Sequence, residues 1–494
     1  MGIVKRQAIV NSFIIYFGFG IGYLNVAFLF LKFFSPSEIG TKETLIAFTL
    51  ILIPLGLLGI NAGVLKFFPK LKHYKKHGLL GLFMTLIVIF LLFTFLGMYL
   101  MSDIIIASFQ ENAPLFASYF HLLYPLTFFF VTTALLEAFS RSHHETYLPT
   151  FLREVLLRLI TTILIIGFSL NIYDFNIFIY LYAYSFGIST VVLTIYLISR
   201  HHHKLFFRIK IIRSLPLREV LTFSSFSFMT SAATVFMLQV DKVMVSNIIS
   251  DEATGVYALA IYLATLIEVP RRAITQTLGP IIAKAWKTSD IETLKSTYYK
   301  ASVNQQIIGS LLFCLLWINI DNIYEILPKK ELYATGKYVV LFIGGSKLLD
   351  MIFGINGEMI GYSKYFKFNF YATIILALLA IATNLFFIKH YGMNGAALAS
   401  LLSLFIFNVA KYIFIWNKFH LHAFSLSTVK LFGIAIVLTL LMSYFPKNDN
   451  FIVDIIIKSL LFATSYLFLT YQSKASDEYN EIIDSLINKV LKRI

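Results

Sequence analysis

The sequence predicts an all-α integral membrane protein, and three observations carry that prediction. Apolar residues make up 58% of the 494 and charged residues only 14%, whereas a soluble chain runs near a quarter charged. Apolar runs recur along the chain at about 20 residues, the length a helix needs to cross a bilayer; they number about fourteen. Each run is continuously apolar rather than short and alternating, which excludes the strands of a membrane barrel. A soluble enzyme, a nucleic-acid-binding domain and a disordered tail protein are excluded by the same composition.

The first run, residues 8–34, follows Lys5 and Arg6. It is too long for a signal-peptide core and has no persuasive cleavage site, so it reads as a retained span. Residues 40–65, 78–100, 115–138, 150–170 and 177–198 complete a first set of six, the N-terminal lobe 1–215. A second set, the C-terminal lobe 216–420, occupies 221–248, 254–284, 300–320, 337–360, 367–388 and 392–416. Two further spans, 427–445 and 453–471, and an amphipathic tail make up 421–494.

With both termini on the inner side, most of the 41 Lys and Arg fall in inner loops, while Lys32, Lys42, Lys447 and Lys458 are among the few outside. That asymmetry follows the positive-inside rule. The net charge of +15 therefore reflects topology and attraction to anionic lipid, not a nucleic-acid footprint. The longest inner loop, Ser199–Leu217, mixes cations with Phe206, Phe207 and Ile209 and suggests an interfacial helix. His201, His202 and His203 within it read as a polar stretch rather than a metal site. In the tail, Ile482, Ile483, Leu486, Ile487, Val490, Leu491 and Ile494 recur at helical spacing, which places a helix on the inner membrane surface. Cys314 is the single cysteine, so no internal disulfide or thiolate metal cluster is available. No metal or cofactor is expected.

An internal repeat relates the two lobes. FFSPSEIGTKETLIAF (Phe33–Phe48) leads into the second span and NIISDEATGVYALAIY (Asn247–Tyr262) into the eighth. Placing Gly40 over Gly255 aligns Ser35 with Ser250. Six helices separate the copies, an even number, so both halves insert in the same orientation. Each copy has the logic of a helix start: small or acidic caps, then a glycine permitting close approach.

Together with HYGMNGAALAS (His390–Ser400), these motifs resemble the Wzx-type polysaccharide flippases of the MATE-like MOP transporter superfamily, over essentially the whole chain. The resemblance implies two pseudo-symmetric six-helix lobes around a central cavity, with two extra helices. It also implies alternating-access translocation of undecaprenyl-pyrophosphate-linked oligosaccharide across the cytoplasmic membrane, for surface polysaccharide or lipopolysaccharide assembly. The partners would be that polyprenyl-pyrophosphate-linked glycan, membrane lipids and other polysaccharide-assembly proteins, with no nucleic acid. The lipid II flippase branch, whose first-lobe helices carry cavity arginines, is not closely matched, since the first span has no central charge.

Independently of the family, seven ionisable residues are read as lying within spans: Asp241, Lys242, Glu268, Arg271, Arg272, Lys347 and Asp350. Each would cost about 2.5–3.5 kcal/mol facing lipid at the bilayer centre, so they must face one another or a wet cavity. Glu268, Arg271 and Arg272 share a helix face by their spacing, and Lys347 and Asp350 lie one turn apart. Asp241 and Lys242 sit nearer the outer end of the seventh span. A guanidinium donates bidentate hydrogen bonds to phosphate and keeps its charge when desolvated. Arg271 and Arg272 are therefore the expected receivers of a pyrophosphate, restrained by Glu268 when empty, with Lys347 an auxiliary cation paired with Asp350. The competing reading is that Glu268–Arg271 and Lys347–Asp350 are ion pairs that only lock helices. Pro54, Pro125, Pro270 and Pro280, and the glycines at 344, 345, 354, 357 and 361, are expected bending points. Gly18–Gly22, Gly59–Gly63 and Gly357–Gly361 read as packing contacts.

Two rival functions remain. An ion-coupled multidrug antiporter would want a buried acid in the first lobe, whereas the clearest buried acids, Asp241, Glu268 and Asp350, are all assigned to the second. A membrane glycan polymerase or ligase would need a sizeable external loop, and none is long enough. Glu137, Arg141, His143, His144 and Glu145 read as a solvated helix end. No phosphate-cradling glycine loop occurs, so transport rather than catalysis is expected.

Overall fold

The computed structural model describes residues 2–71, 78–143, 145–202, 204, 206 and 217–491. Its elements are helical throughout, and eleven helices among the described residues are long and apolar enough to cross a membrane. Two compact units, Met1–Gly255 and Val256–Ile494, divide the chain.

In the first unit, α1 (Gly2–Leu24) runs on through a π turn, Asn25–Leu29, to Phe33. Buried Asn25 sits at that turn, donating from Nδ2 to the Arg158 carbonyl at 2.9 Å and accepting from Thr162 at 2.8 Å. α2 (Pro36–Leu57) begins at a reciprocal cap: the Ser35 hydroxyl accepts from the Glu38 N–H while the Glu38 carboxylate takes the Ser35 N–H. A helical continuation, Ile60–Leu71, follows Leu58 and Gly59. α3 (Leu79–Gln110) is one uninterrupted helix. α4 (Leu123–Ser142) has Pro125 in its first turn, where a missing N–H costs nothing. Pro125 thus opens a helix and does not bend one. The expected span near 150–170 is helical but broken by a second π turn, Leu152–Leu156, before α5 (Leu157–Ser169). α6 (Phe175–His201) is capped by Asp174, whose carboxylate accepts from the Ile177 N–H at 2.9 Å. α7 (Leu217–Ile248), which the sequence assigns to the second lobe, packs along α2 within this unit. Residues 207–216 of the expected interfacial segment, and His203, lie outside the described residues.

The repeat motifs meet each other. α8 (Asp251–Thr265) starts at the second motif. A Cβ on Gly40 would lie 1.7 Å from the Asp251 carbonyl oxygen, and one on Gly255 would lie 2.1 Å from the Pro36 carbonyl oxygen. Each glycine thus admits the backbone of the other copy's first turn. The packing reading of Gly18 and Gly22 also holds: a Cβ there would meet the Glu154 backbone and the Arg158 side chain.

In the second unit a 3₁₀ turn, Leu266–Glu268, joins α8 to α9 (Val269–Thr288), which has Pro270 in its first turn. α10 (Ile291–Ile318) is capped by Asp290. α11 (Lys337–Ile352) is followed by a break at Gly354 and the short helix Asn356–Gly361. α12 (Phe366–Phe419) counts 54 residues, yet it is two helices. Gly392 has φ +57° and ψ −141°, outside helical space, and Thr383 and Ser403 share a 2.9 Å hydrogen bond. Twenty residues of straight helix would separate that pair by about 30 Å, so the chain turns back at Gly392 as the expected boundary between 367–388 and 392–416 requires. α13 (Leu426–Ser443) and α14 (Phe451–Gln472) pack against α10 around Cys314, Leu431, Phe462 and Tyr466. Lys458, read as an outer-loop charge, is instead buried in α14, with Nζ 2.7 Å from Asp454. α15 (Asp477–Leu491) is tied to α10 by Lys300 and Asn304 on Glu478, and leaves Ile482 and Ile487 exposed.

Candidate functional site

The charges of the second unit converge, but not in the pairs that spacing along single helices suggests. Lys347 Nζ of α11 lies 2.6 Å from Glu268 Oε2, and Arg271 Nη1 of α9 lies 3.1 Å from Asp350 Oδ2. The expected pairs Glu268–Arg271 and Lys347–Asp350 are therefore replaced by two bridges between elements. The spacing explains it. Acid and base stand three residues apart in 268/271, base and acid three apart in 347/350, so the two segments match rung for rung. Two backbone features separate Glu268 from Arg271. Glu268 belongs to the 3₁₀ turn, and Pro270 opens the following helix without an N–H. Of the local pairs only Glu268–Arg272 survives, at a loose 3.5 Å.

The two arginines differ in surroundings. The Arg271 side chain is 18% exposed and its Nε makes no hydrogen bond; the Arg272 side chain is 65% exposed. Arg271 is held within the charge network and Arg272 stands at its edge.

Three members of the network escaped the sequence reading. Asn408 of α12 donates to Asp350 Oδ1 at 3.1 Å and accepts from Asn356 at 2.9 Å. Lys411, one turn further on, is only 8% exposed and carries its ammonium 3.7 Å above the Phe407 ring. Among the described residues it has no carboxylate at ion-pair distance, although Asp350 and Glu358 act on it electrostatically, as does Arg271. Glu358 Oε2 is buried without a hydrogen bond. The signal was present, since residues 358 and 411 fall inside the runs 337–360 and 392–416 but were counted as loop charges.

Asp241 and Lys242 belong to a different group. Lys242 Nζ lies 2.8 Å from Glu43 Oε2 on α2, and Lys42 Nζ lies 2.7 Å from Glu43 Oε1. Asp241 Oδ1 accepts the Lys242 N–H at 2.8 Å. Lys42, read as an outer-loop charge, is buried against the Phe30 ring.

The first unit holds a second charged set. Glu137 is buried, with Arg141 at 2.5 Å and Arg153 at 3.2 Å, and Arg153 and Arg158 both bind Glu154. Glu137 and Arg153 border a cavity of about 250 Å³ walled by Phe129, Phe130, Phe186 and Ser189. Glu137 is thus no solvated helix end, and the first lobe does contain a buried acid. Glu145 sits just beyond α4. Burial alone would push its carboxyl up, but hydrogen bonds from Tyr196 at 2.6 Å and His201 at 2.5 Å hold it below the ordinary carboxylate range. No group of metal-binding side chains occurs among the described residues.

No family model matches the chain. A probable low-salt glycan biosynthesis flippase, Agl15 of Haloferax volcanii, is 21% identical over 186 residues. That match takes in 38% of this chain and 39% of the relative, so it spans about two-fifths of the curated protein's length. Among solved structures, the lipid II flippase MurJ in an inward closed conformation matches with a TM-score of 0.76 at 16% identity, covering 96% of this chain and all of that one. An inward-facing multidrug resistance MATE transporter of the MOP superfamily matches at 0.63 and 13% identity, covering 79% and 92%. The chain is a multi-pass membrane protein with the fold of the MOP-superfamily flippases and transporters.

Proposed function

We propose that the protein flips a polyprenyl-pyrophosphate-linked oligosaccharide across the cytoplasmic membrane by alternating access between two pseudo-symmetric lobes, 1–215 and 216–420. The observation that carries this reading is the charge of the second-unit network. Among the described residues, Arg271, Arg272 and Lys347 pair with Glu268 and Asp350, and Lys411 is attracted by Asp350 and Glu358, four cations to three carboxylates. A cluster at this depth with cations in excess attracts an anion, and guanidinium forks suit phosphate oxygens. Arg272, loosely held and exposed, makes first contact. Arg271 supplies the desolvated fork behind it, and Glu268 and Lys347 hold the approach. The polyprenyl tail stays in lipid while phosphates and sugar cross. The glycan flippase relative and the repeat motifs support the same cargo class.

Replacing both Arg271 and Arg272 with Gln tests it. Vesicles reconstituted with the variant should lose translocation of the lipid-linked glycan while membrane abundance stays normal. Translocation at the original rate removes the arginines from the mechanism.

One observation favours a second reading. A buried acid beside an apolar, aromatic cavity, Glu137, is what an ion-coupled drug antiporter needs in its first lobe. Against it, Arg141 and Arg153 already hold that carboxylate, which leaves little charge for a cationic drug. Drug resistance on overexpression, abolished by Glu137→Gln, would decide for the antiporter.

A further inference from the structure

Resting on the headgroup reading of Arg271, we propose that Lys411 is a positioning residue that takes over Asp350 when Arg271 turns to the anionic headgroup, so that cargo binding is an exchange of ion-pair partners.

The need for such a group follows from burial. Arg271 is the one cation at ion-pair distance from Asp350 among the described residues. A phosphate that engages the guanidinium competes with Asp350 for it, and a buried carboxylate left unpaired is strongly disfavoured. With no replacement the cluster would resist every headgroup that arrived. Asn408 already holds Asp350 Oδ1 at 3.1 Å, but a neutral amide cannot balance the charge.

Lys411 has the properties a replacement requires. It lies one helical turn beyond Asn408 on the same helix, so both project to the same side. Its ammonium rests on the Phe407 ring instead of on a carboxylate, an arrangement worth less than a direct bridge. Asp350 and Glu358 attract it and Arg271 repels it, so moving Arg271 away removes the repulsion and leaves the attraction. The long flexible stem of lysine allows the short swing. A lysine that only neutralised Asp350 or Glu358 would already be bridged to one of them.

The test is a double-mutant cycle on the full-length protein in lipid nanodiscs, read as equilibrium binding of farnesyl pyrophosphate. Lys411→Met should weaken binding about tenfold, the size expected when two groups in one charge network are coupled. Lys411→Arg should restore most of it. In an Asp350→Asn background, where no carboxylate needs a new partner, Lys411→Met should have no effect. An equal loss in both backgrounds overturns the exchange, because Lys411 would then act independently of Asp350. Full binding by Lys411→Met overturns it as well. Arg271→Gln separates the two levels. If it binds normally, the headgroup reading falls and the exchange with it. If it loses binding while Lys411→Met keeps it, only the exchange falls. Thermal melting of each variant in the same nanodiscs establishes that a loss of binding is not a loss of fold.

Discussion

Two charged networks lie in the two units of this protein, and they are wired differently. In the first, three buried or half-buried acids are each held by two cations: Glu137 by Arg141 and Arg153, Glu154 by Arg153 and Arg158, and, in a separate group, Glu43 by Lys42 and Lys242. In the second, Asp350 is held by a single cation, and Lys411 has no bridge among the described residues. A doubly held acid is a lock, because losing one partner leaves another in place. A singly held acid beside an idle cation can change hands. On the proposed function, the first arrangement would serve stability and the second the response to an anionic headgroup.

The largest effect that could break this contrast is at Arg271. Arg271→Gln should abolish glycan translocation in reconstituted vesicles while Arg272→Gln, at the exposed edge, slows it several-fold. Equal losses would put both guanidiniums back on one footing. Gly40→Val comes next. Its side chain has to displace the Asp251 carbonyl, and overpacking of this kind costs about 1–3 kcal/mol. The melting temperature of the purified protein should fall accordingly, and Gly255→Val should match it. Glu137→Gln follows at about 1–2 kcal/mol, since Arg141 and Arg153 are half-exposed and water recovers part of the loss. It should lower the melting temperature yet leave transport per folded molecule intact, the reverse of Arg271→Gln. The smallest effect is at Glu145. Its carboxyl is held below the ordinary range, so its contribution is present above the unfolded carboxylate value and fades as pH falls through the folded one. Melting curves of the native chain should steepen their decline below about pH 4; Glu145→Gln should remove that increment.

Much of this architecture was legible in the sequence because a bilayer leaves the backbone few choices. Run length and continuity located the helices, and the helix-start chemistry of SPSEIG found the Ser35 cap. The hairpin at Gly392 was legible too, as a break between two apolar runs. Pairing was not. Spacing within one helix says which side chains share a face, but whether they bond each other depends on the neighbouring helix. The 268/271 and 347/350 sets were each recognised and then paired internally, although their opposite charge order already matched across. Lys42, Lys458 and Lys411 were lost for a simpler reason. Lysine reads as a loop residue, and only tertiary contacts reveal that Glu43, Asp454 or an aromatic ring makes its burial tolerable.

The crossing of the two repeat motifs has a consequence for how that joint responds to its surroundings. Where Gly40 meets Asp251 and Gly255 meets Pro36, main chain touches main chain. Such a seam carries no formal charge for counterions to shield. Salt and pH, which act on charged groups, therefore have no direct hold on the glycine seam.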